Sequence, residues 1–221
     1  MFTIFSFVVL FFEALPALVG LYYLPKFDSL RTSAFVFLLV YSAANEYAAT
    51  YYILSGLGNN NHLFYNIRSI IDTPLLIIIY ISLLKTKAFK ITLFILMIIL
   101  LSQVLFTATL EEFRYGNFYF YSIGGGLAII LATTCYLVDL LRNWDGIDLR
   151  QNLWLYVSLG YLLFHVVVTP IMFTLQIGWL KSSSESLVNF FKLLRNLQSA
   201  DIILMNIIFT LGFLWAKKKY N

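Results

Sequence analysis

The chain of 221 residues is 61% hydrophobic and only 12% charged, with a mean hydropathy of +0.83. Soluble domains carry roughly 25% charged residues, so a water-soluble core is excluded. No interval between apolar runs is long enough for a soluble kinase, cyclase or DNA-binding part. In such a chain the net charge of +4 reports membrane topology, and no nucleic-acid partner is expected.

A spanning helix needs about 20 mostly apolar residues. Seven segments qualify, near 3–24, 31–54, 63–84, 90–109, 118–141, 152–177 and 197–216. They predict an all-α polytopic membrane protein: one domain over 1–221, folded as a seven-transmembrane helix bundle. The first segment has no Lys or Arg before Lys26, runs long and contains Glu13. It therefore reads as a retained helix, not a signal peptide. Glu13 shares a helical face with Ala17 and Gly20.

Lys26-Phe27-Asp28-Ser29 closes the first gap. In the second segment Ser42, Asn45, Glu46, Ala49 and Tyr52 recur at spacings of three and four, which is one helix face. The turn residues 56–61, rich in Gly and Asn, follow. On the third segment Asn61, Tyr65, Arg68 and Asp72 line one face, and Asp72 stands one turn, about 6 Å, beyond Arg68. Pro74 comes next. Gln103 lies in the fourth segment, and the fifth holds Gly124-Gly125-Gly126 and ends near Asp139 and Arg142, expected to be solvated. Cys135 is the only cysteine, so an intrachain disulfide is impossible; it reads as a small core residue. Asn143-Trp144-Asp145-Gly146 closes the fifth gap.

The sixth segment carries His165 at mid-depth and Pro170 five residues later. Before the seventh, Ser182 and Glu185 stand in capping-box spacing, and Leu187, Phe190, Phe191 and Leu194 form a stripe. This stretch reads as an interfacial helix or an extension of the last span, ahead of a lid. Asp201 falls in the first turns of the seventh segment and Asn206 lies deeper.

Counted by alternate gaps, Lys and Arg divide ten to five. The richer set includes Lys217, Lys218 and Lys219, so the C-terminus is expected in the cytoplasm and the N-terminus outside, in a bacterial inner membrane. Trp144, Trp154 and Trp215 would then mark the inner interface and Trp179 the outer one.

A charge inside a bilayer is costly, about 3 kcal/mol on insertion scales, and so has a partner or a task. On this topology the in-span polar residues gather in the outer half, whereas stretches 75–79, 96–101 and 207–214 are nearly all apolar. The picture is a watered outer pocket above a dry inner plug. Its ligand-binding candidates are Asn45, Glu46, Tyr52, Asn66, Arg68, Asp72, Gln103, His165 and Asp201, with Pro74 and Pro170 as hinge candidates. Three acids, Glu46, Asp72 and Asp201, face one arginine, so a proton or a cationic ligand would complete the set. The plainer alternatives are an Arg68–Asp72 pair at i,i+4, interhelical amides at Asn45, Asn66, Gln103 and Asn206, and a core role for His165.

Two histidines and one cysteine make no familiar zinc cluster, so neither a metal nor a cofactor is expected. The last segment has no lysine for a retinal Schiff base. No G-x-S-x-G, P-loop or dinucleotide fingerprint occurs, and no catalytic residue is assigned.

The run Asn61-His62-Leu63-Phe64-Tyr65-Asn66-Ile67, leading into Ile70-Ile71-Asp72, resembles a stretch in small seven-helix integral membrane proteins of Bacteroidetes-type bacteria. So do Leu153-Trp154 with Ser158-Leu159-Gly160-Tyr161-Leu162, and 197–206 leading into Leu214-Trp215 and a basic tail. Some such proteins look like the membrane half of a sensor supplied without its kinase. Where they often carry a carboxylate-rich third helix, this chain has Arg68 and Asp72. The expected function is a receptor-like sensor that binds a small polar or cationic molecule outside and signals through a cytoplasmic or membrane partner, among membrane lipids. The alternatives are an intramembrane lipid hydrolase using Glu46, Asp72 or Asp201, a transporter, and a structural subunit, so whether the chain is an enzyme stays open.

Overall fold

A computed structural model describes residues 4–27, 29–58, 60–107, 119–143, 148–176 and 185–217. Seven long helices and no strand occur among them: α1 (Ile4–Phe27), α2 (Leu30–Leu54), α3 (His62–Leu83), α4 (Lys87–Thr107), α5 (Tyr119–Arg142), α6 (Leu153–Gln176) and α7 (Glu185–Trp215). A 3-10 turn, Leu149–Gln151, precedes α6. Six of the seven, all but α2, are long and apolar enough to cross a membrane, which makes this a multi-pass membrane protein in contact with lipid. Lipid offers the backbone no hydrogen bonds, so apolar segments become helices that satisfy their own.

Helix adjacency forms a closed ring in the order α1, α2, α3, α5, α6, α7 and back to α1. Helix α4 stands outside it, against α3 and α5. Ile91, Phe94, Ile95, Ile98, Ile99 and Leu105 leave much of α4 apolar and exposed, as a lipid-facing helix requires.

Phe35 of α2 occupies the middle of the ring. Its side chain packs on Trp154 (5.7 Å between centroids), Tyr161 (6.3 Å), Phe209 (5.5 Å) and Phe213 (6.0 Å). Gly160 lets α6 and α7 close around this cluster: a Cβ there would stand 2.5 Å from Phe209 Cε1. Helix α2 ends on Gly56, whose φ of +71° is the left-handed conformation that favours glycine after a helix.

The end of the bundle where α7 finishes, called here the tail end, is tied by polar contacts. The Asp139 carboxylate, 3% exposed, accepts hydrogen bonds from the Lys85 and Thr86 backbone N–H groups, the Thr86 hydroxyl and Asn143 Nδ2. It fastens the α3–α4 turn to the end of α5. The expectation of a solvated Asp139 is thereby corrected: the returning α3–α4 turn covers it. Arg142 is exposed, with its guanidinium over the Phe89 ring at 5.7 Å. Trp154, in the first turn of α6, is 1% exposed and packs in the core, whereas Trp215 is 54% exposed.

Helix α7 begins at Glu185, so the amphipathic stretch is an extension of the last span. Its 31 residues rise about 46 Å, more than the ~30 Å of a hydrocarbon core. Phe190, Lys192 and Arg195 on this extension are exposed, and Phe191 and Leu194 half-buried. Asp28, Arg114, Trp144, Asp145, Gly146, Trp179, Lys181, Ser182, Lys218 and Lys219 lie outside the described residues, as does the side chain of Leu187.

Candidate functional site

Helices α2 and α3 run antiparallel, and their polar faces meet. Arg68 Nη1 lies 3.3 Å from Glu46 Oε2, and Arg68 Nε lies 3.1 Å from Asp72 Oδ2. One planar guanidinium thus serves two carboxylates on two helices, which a lysine could not do from a fixed fork. Tyr65 donates its hydroxyl to Glu46 Oε1 at 2.7 Å, and Ser42 donates to Asp72 Oδ2 at 2.9 Å. All three charged groups are half-buried, with side chains 18–25% exposed. The i,i+4 pair foreseen from spacing is present, but Glu46 extends it to a second helix.

A third carboxylate joins from α1. Glu13 lies within electrostatic reach of both Glu46 and Arg68. Three residues earlier in α1, the Leu10 carbonyl accepts the Tyr47 hydroxyl at 3.4 Å, which holds α1 against α2. The charged group therefore contains Glu13, Glu46 and Asp72 against Arg68. Asp201 belongs elsewhere: it sits on α7, buried, with no bond to this group among the described residues. The signal for Glu13 was already in the sequence, as an acid at mid-span in the first helix. Its membership follows only from how α1 docks.

The group is incompletely satisfied. Asp72 Oδ1, Glu13 Oε2, Asn45 Nδ2 and Tyr41 Oη are buried without a hydrogen-bond partner among the described residues. Tyr41 lies within electrostatic reach of Asp72 and Arg68, and Asn45 adjoins Glu46 on α2. Buried polar atoms are nearly always bonded, so four orphans around one cluster mark it as unusual.

The other sequence candidates are not brought into this group. Tyr52 packs on the Phe64 ring at 5.4 Å and against Gly58, beside the 55–61 turn. Asn66 is buried on α3, and Gln103 is exposed on α4 beside Gly124. His165 stacks on Tyr161 (6.1 Å), meets the Phe164 ring edge-on (5.0 Å) and rests against Gly126, in a core setting. Pro74 and Pro170 lie inside continuous helices, and Pro74 follows Asp72 by two residues.

The tail half, expected to be dry from its apolar runs, also holds buried polar side chains bonded to one another. Tyr80 and Ser158, both fully buried, share a hydrogen bond of 3.0 Å. The Tyr80 and Tyr136 rings lie 5.9 Å apart, and Asn152 Nδ2 donates to the Tyr136 hydroxyl at 3.1 Å. Asn152 also caps α6, its Oδ1 accepting the Trp154 N–H at 2.9 Å. Counting only charges missed these residues, because Tyr and Ser read as ordinary components of apolar helices. An open groove at the tail end is lined by Asp148, Arg150, Gln151, Tyr156 and Trp215. Among the described residues no three His, Cys, Asp or Glu side chains cluster as metal ligands.

No family model, curated protein sequence or solved structure matches the chain.

Proposed function

We propose that this protein is a receptor-like membrane sensor. Its charged group on α1, α2 and α3 takes a small cationic or polar ligand, and its tail end passes the change to a signalling partner. The ten-to-five division of Lys and Arg supports an outside N-terminus, with the charged group toward the outer face of an inner membrane. On this reading α2 is a seventh span: it has 25 residues and packs between α1 and α3. Its lower hydropathy reflects the polar face that builds the site. The likeness to small seven-helix membrane proteins accords with the same reading.

The observation that carries the proposal is the sharing of Arg68 by Glu46 and Asp72 while acceptor atoms of Asp72 and Glu13 stay unbonded among the described residues. A cationic ligand would compete with Arg68 for these carboxylates, loosening α2 from α3 just above Pro74. A ligand shifts such an equilibrium only by its differential affinity for the two arrangements. The test is thermal stabilisation of the purified protein across a panel of amines, amino acids and other small cations. Stabilisation by a member of the panel that is lost in both Glu46→Gln and Asp72→Asn is the expected result. Absence of any shift, or a shift indifferent to both substitutions, would sink the proposal.

A further inference from the structure

We propose that the open groove at the tail end binds the headgroup of an aminophospholipid of the phosphatidylethanolamine class, with the phosphate at Arg150 and the ammonium at Asp148. The proposal is independent of the charged group on α1, α2 and α3.

The groove encloses about 610 Å³, within the ~300–1,000 Å³ of small-molecule sites. Its walls are fixed by contacts between α6, α7 and the 3-10 turn. The Lys217 backbone N–H donates to the Gln151 carbonyl at 2.9 Å, which ties the end of α7 to that turn. The Tyr156 hydroxyl donates to the Arg150 carbonyl at 3.0 Å, and the Tyr156 ring meets Trp215 edge-on at 5.9 Å between centroids. Gly212 lets α7 close on Tyr156: a Cβ there would stand 2.8 Å from Tyr156 Cβ. Tyr156 lies in the first turn of α6 and Trp215 ends α7, so the two rings mark the boundary of two membrane-spanning helices. Lipid headgroups lie at that level.

Two opposite charges line this groove without pairing. Asp148 Oδ1 accepts the Arg150 backbone N–H at 3.1 Å, which shapes the turn. Neither the Arg150 guanidinium nor Asp148 Oδ2 has a hydrogen bond or ion pair among the described residues. A guanidinium suits a phosphate, which accepts two parallel N–H bonds from it. A carboxylate beside two aromatic rings suits a primary ammonium, through hydrogen bonding and the ring faces. Exposed charges alone are commonly just solvated, but these stand at the head of an apolar track. Leu159, Leu163 and Val166, exposed at three, seven and ten residues after Tyr156, continue its face of α6 into the membrane. An acyl chain laid on that face brings its headgroup to the groove. A purely anionic headgroup leaves Asp148 unanswered, and the quaternary ammonium of choline donates it no hydrogen bond.

The experiment follows the thermal midpoint of the purified 221-residue chain in maltoside micelles as lipid is added. Phosphatidylethanolamine is expected to raise the midpoint at lower concentration than phosphatidylglycerol or phosphatidylcholine with the same acyl chains. Arg150→Gln and Asp148→Asn should each raise the half-saturating phosphatidylethanolamine concentration about tenfold, and Asp148→Asn should leave phosphatidylglycerol binding unweakened. The asparagine keeps an oxygen for the Arg150 N–H, so the turn survives. Lys87→Gln, removing an exposed base of the same end outside the groove, should change nothing. Native mass spectrometry gives a reading independent of stability: wild type should retain phosphatidylethanolamine that Arg150→Gln loses. Three results would overturn the proposal: no preference for phosphatidylethanolamine, equal losses in Lys87→Gln and Arg150→Gln, or wild-type binding by Asp148→Asn. Stabilisation by free glycerophosphoethanolamine matching that by the lipid would overturn it too, making the groove a site for a soluble molecule. Glu46→Gln and Asp72→Asn should leave the lipid response intact, which separates this groove from the sensor site.

Discussion

Two carboxylate sites, one at the tail end and one midway along α1 and α3, differ in how their oxygens are supplied with donors. At the tail end Asp139 receives donors from Lys85, Thr86 and Asn143, and both its oxygens are bonded. At mid-bundle Glu46 and Asp72 share Arg68, Glu13 lies within electrostatic reach of it, and Glu13 and Asp72 each keep a buried oxygen without a partner among the described residues. A saturated carboxylate contributes to the fold and has nothing left to offer. An undersupplied group costs stability, since orphaned polar atoms in a low-dielectric interior are expensive. The contrast teaches that burial alone does not separate the two carboxylate sites; the balance of donors and acceptors does.

The largest effect should come from breaking the saturated site. Asp139→Ala strands two backbone N–H groups, a hydroxyl and an amide, and is expected to cost about 3 to 5 kcal/mol, read as reversible unfolding in mixed micelles. Arg68→Ala removes the shared cation from two half-buried carboxylates. Solvent reaches this group, so a smaller cost of about 2 kcal/mol is expected in the same assay. Glu13→Gln should be the mildest, within about 0.5 kcal/mol of wild type or more stable, because it relieves an acid that the lone arginine does not balance. A Glu13→Gln cost as large as that of Asp139→Ala would erase the distinction between the two sites.

Much of the helical frame was legible in the sequence because lipid leaves an apolar segment few options. The segments read near 31–54 and 63–84 are α2 and α3 within one residue at each end. Helix α7 starts twelve residues before the apolar run near 197, since a helix continues past the bilayer wherever its polar residues allow. Glu46, Arg68 and Asp72 were legible as candidates because a period of three and four residues places like groups on one face. The neighbours of Glu13 and the burial of Asp139 were not legible, because which turn or helix packs against them is a tertiary fact. The hydroxyls of Tyr80, Tyr136 and Ser158 escaped for another reason. Hydropathy treats them as near-neutral, and only their convergence from three helices gives them meaning.

Helix α4 is clamped at its first turn by Asp139 through the Thr86 contacts, and its main supports are α3 and α5. Mechanically it is a rod braced along one side, with an apolar face left to the surroundings. Lateral shear from the surrounding lipid would therefore load α4 through that open face, and the Asp139 clamp would carry part of the load into the end of α5.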